Sequence, residues 1–121
     1  MYWEMRLKDL EKLRKLYDLI KENHGSNIVI LELEEFASFT DFFVISTATS
    51  EPHLKQLKED IRFKFKESSQ ELPFGIEGEP HSGWVILDYN DIVIHFFNEE
   101  KRDYYNLERI WGQCKRIEFE D

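Results

Sequence analysis

Apolar residues near the start of the chain recur every three or four positions. Trp3, Leu7, Leu10, Leu13, Tyr17 and Ile20 do so with Lys, Arg, Asp and Glu between them. That period predicts an amphipathic helix over residues 3–24, with Gly25 as its natural C-cap. The pattern then changes. Ile28 to Leu33 reads as a β-branched strand, and residues 34–40 as a loop. Phe42 to Ser46 is apolar on both faces, as a central strand is. Ser50 suits a helix N-cap and Pro52 the first turn, so a second helix is expected from there to about Ser69. Its inner face carries Leu54, Leu57, Ile61 and Phe65. Residues 71–83 hold Pro/Gly clusters and read as a loop, with a short extended piece over 74–78. No internal repeat is present.

A hairpin follows. Trp84–Tyr89 and Ile92–Phe97 flank Asn90-Asp91, two residue types that tolerate positive φ in a two-residue turn. This register sets Tyr89 against Ile92, Leu87 against Ile94 and Val85 against Phe96, an entirely apolar face that must be core. The other face is mixed: Trp84 opposite Phe97, Ile86 opposite His95, Asp88 opposite Val93. Such a face suits a partner-binding surface, and equally a face covered by the chain's own helices. The pattern alone leaves both open. Asn98 then caps a short helix opened by Glu99 and Glu100 and followed by Tyr104, Tyr105, Leu107, Glu108 and Trp111. Lys115 to Phe119 reads as a final edge strand.

At 121 residues the chain is one domain, 1–121, with residues 1–25 as N-terminal helix and 115–121 as tail or edge strand. Three helices with several strands make it α/β. The 25 acidic residues against 16 basic give a net charge of −9. Lys and Arg are absent from 26–54 and from 67–100, so the strand-rich part is the acidic part. Direct nucleic-acid binding is disfavoured, because phosphate neutralisation needs Lys and Arg. A cationic protein or a metal would match this charge, and a solvated surface that aids solubility accounts for it equally without any partner. A single cysteine, Cys114, excludes an internal disulfide and suggests a reducing cytosol. No apolar run approaches the roughly 20 residues of a membrane span, and no signal peptide opens the chain.

Candidate chemistry is sparse. His24, His53, His81 and His95 are scattered, with no zinc-ligand spacing. The best acidic group for a hard cation is Asp88 and Asp91 with Glu77 and Glu79, residue types that more often simply build turns. Lys115 and Arg116 are neighbours that lower a thiol pKa, but Cys114 has no base near it in sequence and is taken as a free, non-catalytic thiol. There is no nucleophile elbow, P-loop or G-x-G-x-x-G. The residues therefore favour a binding module with no catalytic set, metal or cofactor.

Three stretches carry a resemblance. Thr40-Asp41-Phe42-Phe43-Val44-Ile45-Ser46-Thr47-Ala48-Thr49-Ser50, Gly75-Ile76-Glu77-Gly78, and the block from Gly83 to Phe97 continuing through Glu99-Glu100-Lys101-Arg102-Asp103-Tyr104-Tyr105-Asn106-Leu107-Glu108-Arg109-Ile110-Trp111 resemble the ribosomal silencing factor RsfS, or Iojap, family. The resemblance runs from about residue 7 to Trp111. Two glycines usual in the family are replaced, by Ala48 and Asn90.

The resemblance implies a mixed β-sheet flanked by helices, similar to nucleotidyltransferases but without their catalytic motif. It implies binding to large-subunit ribosomal protein number fourteen (uL-fourteen) in the cytoplasm. There the protein would block joining of the two ribosomal subunits and repress translation in starvation or stationary phase. Large-subunit assembly through the same docking surface is the alternative, and nucleotide binding a more remote one. The family's surface carries over onto Trp84 and Tyr105, and with them Asp88, His95, Phe97, Arg102, Leu107, Glu108 and Trp111. An exposed aromatic face also makes a homodimer plausible for the free protein.

Overall fold

The computed structural model describes the backbone of residues 2–33 and 39–120, and the side chains of 7–33 and 39–120. In chain order the elements are α1 (Tyr2–Glu22), β1 (Ser26–Glu32), β2 (Phe42–Ala48), α2 (Glu51–Ser69), β3 (Gly75–Glu77), a 3-10 turn (Pro80–Ser82), β4 (Trp84–Asp88), β5 (Ile92–Asn98), α3 (Glu99–Tyr105), α4 (Leu107–Ile110) and β6 (Lys115–Ile117). The strands form one sheet in the order β3-β4-β5-β2-β1-β6. The β2–β5 pair is parallel and every other pair antiparallel, so the sheet is mixed as expected. The parallel pair needs a crossover, and α2 lies in it. β2 is central and buried at nearly every position, which its two-sided apolar pattern predicts.

Both sheet faces carry a core. The larger packs Leu13, Leu16 and Ile20 of α1 and Leu54, Leu57, Ile61 and Phe65 of α2 onto Val44, Val85, Leu87, Ile94 and Phe96. The stripe on α1 is therefore rotated from the expected one. Leu16 is fully buried and Leu7 is 45% exposed, because the helix turns its Leu13–Leu16–Ile20 ridge inward. Tyr17 lies at the margin, its ring 5.5 Å from that of Phe119. Trp3 lies in the helix, outside the described side chains, and residues 34–38 of the expected loop lie outside the described residues.

α1 does not end on a left-handed Gly25. His24 takes that conformation, with φ 65°, and the Gly25 N–H donates to the Ile20 carbonyl at 2.9 Å. Glycine is required at 25 for a different reason: a Cβ there would sit 2.4 Å from Ile20 Cγ2 and 2.8 Å from Ser46 Oγ. Ser50 caps α2 as expected, accepting from the His53 N–H at 3.1 Å. The His53 ring joins the two helices. It accepts the Thr49 N–H at Nδ1 over 2.9 Å, which leaves Nε2–H to donate to the Asn23 carbonyl at 2.8 Å.

The expected third helix is broken in two. Asn106 adopts φ 46°, caps the end of α3 and lets the chain restart as the single turn of α4. Asparagine tolerates this conformation better than most side chains. β6 pairs with β1 at the sheet edge, as expected of the last segment.

Candidate docking surface

The β4–β5 hairpin forms in the expected register, from Trp84 opposite Phe97 to Asp88 opposite Val93. Of the two turn residues only Asn90 takes a positive φ, 75°. Asp88 Oδ1 accepts the Asn90 N–H at 2.8 Å, so this carboxylate builds the turn. Asp91 forms an ion pair with Lys12 at 2.7 Å, and Lys12 also meets Glu71 at 2.9 Å. Among the described residues no group of three or more His, Cys, Asp and Glu gathers as a metal site. Of the best candidate acids for a hard cation, Asp88, Asp91, Glu77 and Glu79, the two on the hairpin are thus taken up by the turn and by Lys12.

The mixed face of the hairpin is neither open nor fully covered. α3 packs against β5 and β2, and Phe97, His95 and Val93 are buried beneath the last elements of the chain. Trp84, Ile86 and Asp88, on the neighbouring strand, remain half-buried. The Trp84 indole stacks on Phe97 with centroids 4.9 Å apart, and Tyr105 of α3 lies 4.5 Å from it. Its Nε1–H donates to His95 Nδ1 at 3.1 Å. Phe43 of β2 meets the same imidazole edge-on at 4.5 Å, and Trp111 meets Phe43 at 6.0 Å. Aromatic contacts with these offset and edge-on geometries are favourable beyond the area they bury. Burial lowers the His95 pKa to about 4, so the ring is neutral at pH 7.

Two contacts fix α3 relative to this cluster. Gly83 precedes Trp84 with φ 80°, and a Cβ on it would lie 2.5 Å from Asn98 Nδ2. Its carbonyl accepts the Asn98 N–H at 2.9 Å. Asn98 in turn caps α3, accepting the Lys101 N–H at 2.8 Å. The start of β4, which holds Trp84, and the helix that holds Tyr105 therefore share one close junction. On the far side of α3, Arg102 is buried; it donates to Thr47 Oγ1 at 2.8 Å and faces Glu108 at 3.3 Å. Burial lowers the Arg102 pKa, opposed by the Glu108 carboxylate.

The nine residues expected from the resemblance thus fall into two sets. Tyr105, 40% exposed, stands at the surface, and Trp84, Asp88, Leu107, Glu108 and Trp111 are partly exposed. His95, Phe97 and Arg102 lie beneath them, each 5% exposed or less. Three further exposed apolar residues border the cluster on the last elements and the segment before β2. They are Tyr104 at 78%, Phe39 at 57% and Ile110 at 66%. Tyr104 meets Tyr105 edge-on at 5.0 Å, and Phe39 meets Trp111 at 6.0 Å. Ile110 is hidden in the sequence because the break at Asn106 resets which later positions face outward, and Phe39 lies in a segment with no periodicity to read. Cys114 is buried, and desolvation raises its thiol pKa rather than the neighbouring cations lowering it. No helix among the described residues is long and apolar enough to cross a membrane.

The fold and this surface define a class: a mixed-sheet α/β domain that carries a half-exposed aromatic cluster where β4 meets α3. The family model described as "Ribosomal silencing factor during starvation" matches residues 7–121. The chain belongs to this RsfS family. A ribosomal silencing factor RsfS of Halalkalibacterium halodurans is 28% identical over 110 residues, covering 91% of this chain and 93% of that protein. One of Zymomonas mobilis is 34% identical over 105 residues, covering 86% and 78%. A crystal structure of a Chromobacterium violaceum protein superimposes with a TM-score of 0.79 at 26% identity, covering 93% of this chain and 92% of that one.

Proposed function

We propose that this chain docks on the large ribosomal subunit through ribosomal protein uL-fourteen and, by occupying the joining face, keeps the small subunit away and represses translation when nutrients fail. The observation that carries the reading is the Trp84–Tyr105 pair. Two large aromatic rings 4.5 Å apart stand partly exposed at one junction of a silencing-family domain. Aromatic anchors of this kind dominate binding energy at protein interfaces. The net charge of −9 supports a cationic protein contact in preference to ribosomal RNA. Trp84 and Tyr105 are the anchors, and Asp88, Leu107, Glu108 and Trp111 border them. The mechanism is steric and needs no catalysis, metal or cofactor. The protein acts in the cytoplasm, and when free of its partner the same aromatic surface is available to a second copy of the chain.

The test is subunit joining on a sucrose gradient, with purified large and small subunits and the protein added or withheld. The expected result is fewer intact ribosomes and co-sedimentation with large subunits alone, both lost in Trp84→Ala and Tyr105→Ala with the fold kept. Normal joining, or normal binding by both variants, overturns the reading. If a deletion strain instead accumulates immature large subunits during growth, the same docking serves assembly.

A further inference from the structure

His95 is an unusual residue for its place. It is 5% exposed, on the buried side of the cluster, among Phe43, Trp84 and Phe97. Its Nδ1 accepts the Trp84 indole N–H at 3.1 Å. A neutral imidazole that accepts at Nδ1 carries its proton on Nε2. Among the described residues no acceptor reaches that Nε2, which is itself buried. Leaving a buried donor unsatisfied is unfavourable. A phenylalanine would fill the same aromatic slot with no such penalty. What histidine supplies here and phenylalanine does not is the acceptor for Trp84.

We infer that His95 is a positioning residue: its Nδ1 lone pair holds the Trp84 indole N–H and so fixes which edge of that ring the domain presents to its partner. The inference rests on the docking reading above and deepens it. It also sets the chemistry of the contact. The single indole donor is engaged inside the domain, so the partner meets Trp84 through carbon alone. An aliphatic side chain, or a Lys or Arg over the ring, matches that surface; a partner carbonyl or carboxylate seeking a hydrogen bond does not.

The test compares His95→Phe, which keeps the ring and removes the acceptor, with His95→Asn, whose Oδ1 restores an acceptor near the Nδ1 position. Purified large ribosomal subunits serve as the probe. Two readouts are taken beside a melting curve: affinity for those subunits, and the Trp84 indole N–H resonance, assigned with Trp84→Phe. His95→Phe is expected to move the resonance upfield and weaken binding about fivefold to tenfold, the worth of one hydrogen bond. His95→Asn is expected to recover most of both. If His95→Phe does not fold, His95→Met takes its place with the same expectations. Unchanged binding, or an unmoved indole resonance, in the variant lacking the acceptor overturns the inference. So does an equal loss in both variants, which would make the imidazole itself the contact. Trp84→Ala separates the two levels. If it binds normally, the docking reading has failed and the inference falls with it; if it loses binding while His95→Phe keeps it, the inference alone has failed.

Discussion

Acid should destabilise this domain through His95 before general carboxylate protonation does. The ordinary histidine pKa is 6.5, and burial holds His95 near 4 in the folded chain. Between these values the unfolded chain binds a proton at this position and the folded chain does not. Stability therefore rises with pH across that window and is lost as pH falls through it. At about 1.4 kcal/mol per pH unit, the loss from this one ring is about 2 kcal/mol by pH 5 and approaches about 3 kcal/mol near pH 4. It is a large fraction of the roughly 5–15 kcal/mol that holds a typical domain together. Urea unfolding of the parent and of His95→Phe at pH 7, 6 and 5 measures it by difference. Other titrating groups are common to both chains and cancel. The expected result is a stability gap that shifts by about 2 kcal/mol in favour of the variant between pH 7 and pH 5. Parallel curves for the two chains over that range would refute the reasoning, because they would mean that His95 binds its proton equally well in both states.

Other perturbations test the framework around this cluster. Gly25→Ala places a methyl against Ile20 and Ser46 and should cost about 1–3 kcal/mol, read as a lower urea midpoint at unchanged slope. Ser50→Ala removes the α2 cap and should cost about 1 kcal/mol, with Ser50→Asp largely neutral in the same assay. Arg102→Met leaves Glu108, 19% exposed at its side chain, without its cation. The cost should be roughly 2 kcal/mol, below the range for fully buried pairs, and calorimetric melting reads it.

The regular elements were legible because their signals are local. Two-sided apolar Phe42–Ser46 became the central strand, Ser50 and Asn98 became caps, and the hairpin register followed from where Asn90-Asp91 places the turn. What failed to read depends on contacts distant in sequence. Gly25 looks like a C-cap, but its need for no side chain comes from Ile20 in the last turns of α1 together with Ser46, twenty-one residues on. Cys114 reads as a free, non-catalytic thiol and is free and buried, but the packing that buries it, from β1, β2 and the last helices, is not visible in its neighbours Lys115 and Arg116. Trp84 and Tyr105, which the resemblance pairs, stand side by side with ring centroids 4.5 Å apart. Sequence alternation put His95 and Phe97 on the same face as Trp84, and rightly so, yet it does not report which part of a face another element covers. That division between contact and support appears only once α3 is set down on β5.

One geometric fact accounts for both the burial and the exposure within this cluster. A sheet face needs a covering layer, and the layer on this face is built from α3, the single turn of α4 and the chain around Trp111. Had the helix begun at Glu99 run on unbroken to Trp111, it would extend about 20 Å in one direction at 1.5 Å per residue. Asn106 stops it at Tyr105 and turns the chain, so that Leu107 and Trp111 fold back onto the β2 side while Tyr105 remains at the margin beside Trp84. The cover is then too short to reach across β4, whose outward residues stay half-exposed. Completing that cover from outside is the most direct way for a partner to bury Trp84. The left-handed Asn106 accordingly belongs to the proposed docking surface as much as the rings it leaves uncovered. Asn106→Ala, which disfavours φ 46° by about 1–2 kcal/mol, should weaken large-subunit binding together with stability. Asn106→Gly, which permits that angle, should preserve both; a glycine variant that folds normally but fails to bind would show that the asparagine side chain, not the turn, is what the surface requires.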